Sequence, residues 1–493
     1  MFDIHKIQSL LQYDKEAPMI FSSGLFLFLF IGFSIGYFLL RKEYRWRFLY
    51  VILFSYYFYY KSSGNYFVLL LFVSLLDFLV AMRMANLKKD LQRKLLLIFS
   101  ITVNIALLVY FKYTNFFYEL YCDISNHSFN HLNIFLPVGV SFFTFQSMSY
   151  TIDVYRGNIK PLKNFVDYAF FVSFFPQLVA GPIIRAKDFL PQILKPLVVN
   201  KKMFGRAVFL ILIGLFKKAV ISDYISLNFV DRIFDNPTLY SGIENLFGTY
   251  GYALQIYCDF SGYSDMAIGI ALLLGFQFKI NFDSPYKSAT ITEFWRRWHI
   301  SLSSWLRDYL YISLGGNRKG KFRTYLNLFI TMLLGGLWHG ASFRFVCWGA
   351  LHGVALAIHK LLMNIFPWMK KDGSSMKPLS RIAGIIFTFH IVCFGWMFFR
   401  AGTFGDALDM MKQIGTNFHP ELFISLIQGY PVVFLLIGIG FFLHFAPKSW
   451  EKWFQRTITA SPLLVKALVI TAVIILIMQI KSADIQPFIY FQF

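Results

Sequence analysis

The sequence predicts an all-α polytopic membrane protein with about eleven transmembrane helices, to which re-entrant and interfacial helices are added. Hydrophobic residues make up 57% of its 493 residues and charged residues only 15%, with a mean hydropathy of +0.55. One water-soluble core cannot bury so much apolar surface, whereas a bilayer accepts it. The apolar residues also fall into runs separated by short Lys and Arg clusters, the pattern that positive-inside topology produces.

The positions of the basic clusters show how the net charge of +21 should be interpreted. Because they lie between apolar runs, they indicate membrane topology and not a nucleic-acid-binding surface. The four cysteines lie far apart without a C-x-x-C pair, so they predict neither a disulfide framework nor a structural zinc site. These cysteines are Cys122, Cys258, Cys347 and Cys393.

The amino-terminal part contains four plain spans, predicted at 24–40, 48–60, 66–82 and 95–111. Basic clusters follow the first and the third, so both should face the cytoplasm and the amino terminus should be extracytoplasmic. A polar loop, 115–133, is then expected outside. Residues 1–20 do not resemble a cleavable signal peptide, and we predict an interfacial helix in this extension. Residues 21–493 are predicted to form one transmembrane domain, with core motifs at 134–353.

From residue 134 the spans carry Pro, Gly, Ser and Gln where a plain anchor would carry Leu. Two motifs show this: L-P-V-G-V-S-F-F-T-F-Q at 136–146 and F-F-P-Q-L-V-A-G-P-I-I-R at 174–185. Irregular backbone at membrane depth requires shielding by protein or a wet cavity, so both are expected to line a cavity, the second as a re-entrant segment. For either motif alone, the general enrichment of Pro and Gly in membrane helices is an equal explanation.

Two carboxylates, Asp259 and Asp265, lie in the apolar stretch 247–276, which is long enough for one tilted span or a broken pair. Carboxylates are costly in such a stretch and therefore indicate a functional or tightly paired position. A structural salt bridge to a nearby arginine is favoured over a catalytic role. Further spans are predicted at 205–222, 345–363, 382–399, 432–445 and 463–480.

The segment 292–341 is unusually rich in Arg, Trp and His, and it contains the two candidate catalytic residues, His299 and His339. Its W-R-R-W-H-I-S-L-S-S-W-L motif places Trp298, Leu302 and Trp305 on one helical face, which predicts an amphipathic helix in the cytoplasmic leaflet. About nine apolar residues, roughly 13 Å of helix, precede G-G-L-W-H-G-A and should carry the second histidine to mid-membrane depth. The glycines allow a tight bend or a close helix contact there.

A histidine in such a position is expected to be neutral, because low dielectric disfavours the charged form. Neutral His339 can then act as a general base that takes the proton of a hydroxyl as its oxygen attacks an activated acyl group, a contribution of roughly 10²- to 10⁴-fold. His299 would orient the reacting pair. A zinc site is not predicted, since the two lack metal-ligand spacing. The remaining intramembrane histidines are interpreted as packing residues: His352, His359, His390 and His444.

Basic residues flank the histidine motif at Arg296, Arg297, Arg318 and Lys319. At the cytoplasmic mouth they would attract the phosphates of a coenzyme A thioester or an acidic acyl carrier protein, bound as a donor substrate and not as a permanent cofactor. Positive-inside anchoring predicts the same residues, and the two interpretations are compatible.

The motifs resemble those of the membrane-bound O-acyltransferase family, in its bacterial alginate O-acetyltransferase branch. The resemblance starts with I-F-S-S-G-L-F-L-F at Ile20 and includes Q-I-Y-C-D-F-S-G-Y-S-D-M-A-I-G, N-F-D-S-P-Y, F-W-R-R-W-H, G-G-L-W-H-G-A and W-G-A-L-H-G. It covers more than half of the chain. The chain departs from the family in carrying about eighteen residues before the usual start.

The resemblance implies helices around a central funnel in the bacterial cytoplasmic (inner) membrane. It implies O-acyl transfer, with His339 as the essential residue and His299 as its companion. The donor would be an acyl thioester, and the acceptor an extracytoplasmic polysaccharide or envelope polymer, reached directly or through a partner transferase. The alternative from another class is a transporter or channel in which His339 relays protons.

Overall fold

The computed structural model describes residues 10–15, 18–193, 195, 197–366 and 377–480. Throughout this part of the chain the regular structure is helical, without a strand. The described residues form two compact units. Of the described residues, the first comprises those up to Asn200 together with Ile270–Phe278, and the second comprises Lys201–Gly269 and those from Lys279 to Ile480.

The first unit is a set of helices joined by short turns. Asp90–Leu108 continues through a π-helical turn into the next helix, so the loop predicted at 115–133 is helical as far as Ser125. Of the amino-terminal extension, residues 10 and 11 are helical, and much of the predicted interfacial helix lies outside the described residues. The helices are Gly24–Leu39, Tyr44–Ser63, Phe67–Ala85, Asp90–Leu108, Thr114–Ser125, Val140–Tyr155, Phe165–Ser173, Phe175–Leu178 and Ala186–Ile193.

A buried carboxylate joins three helices of this unit. Asp77 is fully buried and accepts hydrogen bonds from Ser100 Oγ at 2.6 Å, Asn104 Nδ2 at 2.9 Å and Ser147 Oγ at 2.5 Å. Hydroxyl and amide donors thereby satisfy a group that would otherwise be costly in an apolar interior. The polar residues of these helices serve packing between them.

The two Pro- and Gly-containing motifs meet at one carbonyl. The helical conformation is interrupted at Phe174, between the helix that ends at Ser173 and the helix that begins at Phe175. All of residues 174–185 are buried. The Phe171 carbonyl, left without a helical partner by the break, accepts hydrogen bonds from Gln146 Nε2 and Gln177 Nε2, each at 2.6 Å. The predicted irregular backbone is therefore present, shielded by protein as required.

The second unit contains the histidine motifs. The stretch predicted as one tilted span or a broken pair is one helix of 32 residues, Gly242–Leu273; its end, from Ile270, belongs to the first unit. The helices are Lys201–Leu215, Asp231–Asp235, Gly242–Leu273, Ile291–Arg297, Ile300–Trp305, Lys321–His339, Phe343–Ile365, Pro378–Arg400, Phe404–Thr416, Phe423–Gly429, Pro431–Phe445, Lys448–Ala460 and Leu463–Ile480.

The predicted count of eleven spans is not confirmed. Among the described residues, four helical stretches are long and apolar enough to cross a membrane, and a bent pair makes a fifth. Other predicted spans, such as Gly24–Leu39 with 16 residues, are shorter. The four stretches are Tyr44–Ala85, Asp90–Ser125, Phe343–Ile365 and Pro378–Arg400, and the bent pair is Pro420–Gly429 with Pro431–Phe445.

Candidate active site

His339 is the last residue of the Lys321–His339 helix. The helix is unbroken for 19 residues, so this histidine lies about 27 Å along the axis from Lys321. That is twice the rise expected from the apolar residues of the sequence alone, because the helix also includes the residues on either side of them.

Backbone contact with the following helix holds this end in place. A Cβ atom built on Gly349 would lie 2.6 Å from the Met332 carbonyl oxygen and 3.1 Å from the Gly336 Cα. Only glycine allows such an approach between two helices. The predicted close contact at the glycine motif is therefore present, and it fixes the helix end that carries His339.

Aromatic rings enclose the His339 imidazole. Its ring centroid lies 5.0 Å from that of Trp338, 5.0 Å from that of Trp348 and 5.2 Å from that of Phe399, with interplanar angles of 73° to 83°. The residue is only 3% exposed and does not face lipid. Edge-on packing of this kind fixes the orientation of the imidazole.

His299 lies at a break between two short helices, Ile291–Arg297 and Ile300–Trp305. Its φ of 41° and ψ of 57° are left-handed, which costs a non-glycine residue about 1–3 kcal/mol. The side chain is fully buried. The left-handed residue turns the chain between the two helices, and its imidazole is enclosed by protein.

The amide of Asn281 sets the tautomer of His299. Asn281 Oδ1 accepts hydrogen bonds from the Ser301 backbone N–H at 3.1 Å and from Ser301 Oγ at 2.9 Å, which identifies it as the oxygen. His299 Nδ1 lies 3.3 Å from the same oxygen. A nitrogen that faces an acceptor must carry the proton to form a hydrogen bond, so this network assigns Nδ1–H and leaves the lone pair on Nε2.

His299 Nε2 is a buried acceptor. It is shielded from solvent and has no hydrogen-bond partner among the described residues. Burial lowers the pKa of His299 to about 3, so the ring is neutral at physiological pH. The site thus contains a fixed, neutral imidazole whose free lone pair can accept a proton or a hydrogen bond.

Trp338 connects the two predicted catalytic histidines. Its ring centroid lies 6.2 Å from that of His299 and 5.0 Å from that of His339. Both imidazoles therefore belong to one cluster, although forty residues separate them in the sequence. Their proximity, about which the sequence was silent, makes a joint role geometrically possible.

The predicted amphipathic helix is wrong. Trp298 lies outside both short helices, because the helix ends at Arg297 and His299 is left-handed. Trp298, Leu302 and Trp305 are at most 7% exposed and form part of the protein core. Periodicity along the sequence could not reveal the single residue that breaks the helix.

The Gly242–Leu273 helix supports the His299 side of the cluster. Phe260 packs edge-on against the His299 ring with centroids 4.6 Å apart, and Asn281 Nδ2 donates to Ser264 Oγ at 3.2 Å. The predicted ion pairs of this helix exist, but their partners are lysines and not arginines. Lys218 Nζ lies 2.5 Å from Asp259 Oδ1, and Lys217 Nζ lies 2.7 Å from Asp265 Oδ2.

The four basic residues of the predicted donor mouth differ in their surroundings. Arg297 donates to Glu293 Oε1 at 2.7 Å and to the Asp283 carbonyl at 3.1 Å, so it holds the segment around His299 together. Arg296, Arg318 and Lys319 are exposed. Solvent can reach these three residues, and an anionic ligand can therefore reach them as well.

Sequence reasoning did not assign roles to Asn281 and Trp338. Both lie within the motifs N-F-D-S-P-Y and G-G-L-W-H-G-A, but amide and indole groups carry no sequence signature of an orienting role. The signal is spatial, since one contacts the imidazole of His299 and the other lies between two histidines.

Comparison with known proteins shows what the chain is similar to. The family model described as MBOAT, membrane-bound O-acyltransferase family, matches residues 158–399. The chain is 39% identical to the probable alginate O-acetylase AlgI of Pseudomonas putida, over 96% of this chain and 100% of that protein. It is 38% identical to the peptidoglycan O-acetyltransferase of Helicobacter pylori, over 83% and 82%. It is 28% identical to the teichoic acid D-alanyltransferase of Bacillus subtilis, over 55% of this chain and 70% of that protein.

Proposed function

Because the chain belongs to the membrane-bound O-acyltransferase family and is an O-acyltransferase, we propose that it transfers an acetyl group from a cytoplasmic thioester to a hydroxyl of an extracytoplasmic polysaccharide or envelope polymer. Transfer is direct or passes through a partner transferase. The relatives are named for acyl transfer to alginate, peptidoglycan and teichoic acid, which supports a polymer acceptor. Because the chain belongs to a family of acyltransferases, the alternative hypothesis of a transporter or channel is rejected. The chain is a multi-pass membrane protein, which we place in the inner membrane with its amino terminus outside.

The observation that carries the proposal is the cluster of His299, Trp338 and His339. In the proposed reaction the neutral His339 ring removes the proton of the acceptor hydroxyl as its oxygen attacks the thioester carbonyl. The new C–O bond forms, the C–S bond breaks, and the departing thiolate takes the proton back from the imidazolium. No serine or cysteine nucleophile is needed.

We assign His299 the role of orienting one reactant. Its Nε2 is a lone-pair acceptor held by Asn281, so it can accept a hydrogen bond from a substrate O–H or N–H group. Correct placement of two reactants supplies a large part of the reduction in the activation barrier. A misplacement of about 1 Å can lower the reaction rate on the order of 10²-fold.

The exposed residues Arg296, Arg318 and Lys319 are proposed to attract the anionic part of the thioester donor, a coenzyme A phosphate or an acidic carrier protein. Arg297 serves a structural role in this scheme, because carboxylate and carbonyl oxygens of the same segment already occupy its guanidinium. No permanently bound cofactor takes part.

The first test is transfer from labelled acetyl coenzyme A by the purified, reconstituted protein. His339→Ala should lower the rate by roughly 10²- to 10⁴-fold, the usual contribution of a general base. His299→Ala should lower it less. His127→Ala is a matched control, because this histidine is exposed and, within the residues that the structure describes, its ring contacts only Ser125 and Tyr121, both in the preceding turn and far from the motif in sequence.

Folding of each variant is checked by gel filtration and thermal unfolding. A folded His339→Ala protein that retained the wild-type rate would refute the catalytic assignment. The acceptor is identified separately, by measuring which envelope ester disappears on deletion and returns with the wild-type chain but not with His339→Ala.

A further inference from the structure

A large groove lies between two candidate spans of the second unit, Phe343–Ile365 and Pro378–Arg400. Its volume is about 1120 Å³, and most of its lining is apolar. Several lining side chains are strongly exposed, including Val354 at 46%, Ile358 at 50% and Phe387 at 69%. Because both walls belong to helices apolar enough to cross a membrane, hydrocarbon is the medium that meets these side chains.

One end of the groove is polar and basic. The spans run antiparallel along it, so Lys377 and Ser380 at the start of the second span mark this end, and His359 lines the groove between this end and Cys347. The opposite end is formed by Cys347, Ala350 and Phe394.

His359 offers a polar atom to an occupant of the groove. Its Nδ1 lies 2.8 Å from Thr292 Oγ1, which fixes the ring. Its Nε2 is shielded from solvent and has no hydrogen-bond partner in the described part of the chain. A polar atom of the glycerol backbone of a lipid would give this nitrogen a partner, and Lys377 would give the headgroup phosphate a counter-charge.

We propose that the groove binds an anionic phospholipid, with its phosphate at Lys377, its glycerol esters towards His359 and an acyl chain along the apolar wall. An apolar channel with one cationic end matches such a lipid in both shape and charge. A neutral or zwitterionic lipid would leave the positive charge at this end uncompensated.

The occupant is a bound lipid and not the acyl donor. Cys347 precedes Trp348, which packs against His339, whereas His359 lies about 18 Å further along the helix. Most of the lining between the two ends is apolar, so the amide groups of a phosphopantetheine arm would find few hydrogen-bond partners there, whereas a lipid acyl chain needs none. The hydrogen bond between His359 and Thr292 instead connects the lipid to the helix Ile291–Arg297, which leads directly into His299.

The test measures lipid retention by the full-length protein. The protein is reconstituted into phosphatidylcholine nanodiscs that contain phosphatidylglycerol as a minor component, and retained lipid is quantified by native mass spectrometry. Wild-type protein should retain phosphatidylglycerol in preference to phosphatidylcholine. Lys377→Gln should weaken this preference about fivefold, as expected for one basic contact to an anionic lipid.

Two further variants complete the experiment. Lys452→Gln is the matched control, since this lysine is exposed on the Lys448–Ala460 helix and does not line the groove; it should retain the wild-type preference. Ala355→Trp should reduce retention of any lipid by filling the groove.

Equal retention of the two lipids by wild-type protein would overturn the proposal, as would an unchanged preference in Lys377→Gln. Displacement of phosphatidylglycerol by a long-chain acyl thioester would assign the groove to the donor and overturn it as well. None of these readouts depends on acyl transfer, so this inference and the proposed function can fail separately.

Discussion

His299 combines a strained backbone with a fixed side chain. Its left-handed conformation is rare for a residue with a Cβ atom, and it persists because Asn281 binds on both sides of the turn. The Asn281 carbonyl accepts from the Ile300 N–H at 2.8 Å, and its side-chain oxygen faces His299 Nδ1. Strain of this kind is maintained where the surrounding structure determines the geometry.

Asn281→Asp should make the activity sensitive to acid. In the wild type the pKa of His299 is about 3, so the ring stays neutral across the assay range. A carboxylate beside Nδ1 favours the imidazolium and raises this pKa. Because the proposed role requires neutral His299, the rate of the variant should fall as pH decreases through the raised pKa, with the loss appearing between about pH 5 and 8.

Ser301→Ala is the control for this pH profile. It removes one hydroxyl donor to Asn281 and introduces no charge, so the profile should keep its wild-type shape. Superimposable profiles for Asn281→Asp and wild type would show that the protonation state of His299 does not matter.

At the scale of elements, two helix pairs hold the site. Glycines bring Lys321–His339 against Phe343–Ile365, and buried ion pairs hold Gly242–Leu273 against the segment that carries Lys217 and Lys218. The first pair fixes His339, and the second supports His299 through Phe260. The first pair depends on glycines at the helix contact, and the second depends on charged side chains. A helix that served only to anchor the protein in lipid would need neither.

Gly349→Ala should displace the His339 helix. The added methyl group would lie 2.6 Å from the Met332 carbonyl, so the helices must separate. Overpacking of this kind costs about 1–3 kcal/mol of stability, and the accompanying shift should lower the transfer rate. Gly438→Ala has nothing within 4 Å and should leave both thermal stability and rate unchanged; equal behaviour of the two variants would contradict the packing argument.

Lys218→Met should destabilise the protein strongly. Lys218 and Asp259 are 1% and 2% exposed, so removal of the lysine leaves the Asp259 charge buried, at a cost of about 3–5 kcal/mol. Lys218 Nζ also lies 2.8 Å from Asp223 Oδ1, so the double variant with Asp259→Leu should recover only part of the loss. Thermal unfolding in detergent measures the effect, and a double variant less stable than Lys218→Met would show that the buried Asp259 charge is not the source of the loss.

At the scale of the whole molecule, the basic clusters determine which loops face the cytoplasm. The turn with Arg318 and Lys319 is exposed, as a donor mouth requires. The amino-terminal extension should lie on the other side, given the cluster that follows the first span.

This topology predicts the labelling of two cysteine variants in a chain whose native cysteines are replaced. Lys319→Cys should react with a membrane-impermeant maleimide only after permeabilisation, and Lys15→Cys should react in intact cells. Both residues are exposed, so neither is shielded from the reagent by burial in the protein. Labelling therefore depends on which side of the membrane each residue lies. Labelling of Lys319→Cys in intact cells would place the donor mouth outside and invalidate the proposed direction of transfer.

Much of the fold was predictable, because helix formation and membrane solvation depend on local composition. The spans at 382–399 and 463–480 correspond closely to Pro378–Arg400 and Leu463–Ile480. The break around Phe174 was predictable because proline removes a backbone donor. The number of spans was not, since some predicted spans correspond to helices too short to be counted, such as Gly24–Leu39 with 16 residues, and packing within the protein helps to decide where a helix ends.

The sequence by itself determined that the protein is helical and membrane-bound, and it singled out two histidines, because amino-acid composition and motif chemistry are properties of the chain. Only the tertiary structure brought Trp338 between those histidines, placed Asn281 against His299 and gave lysine partners to Asp259 and Asp265. These contacts join residues distant along the chain, and they depend on how helices pack and where one left-handed residue turns the backbone, which periodicity does not encode.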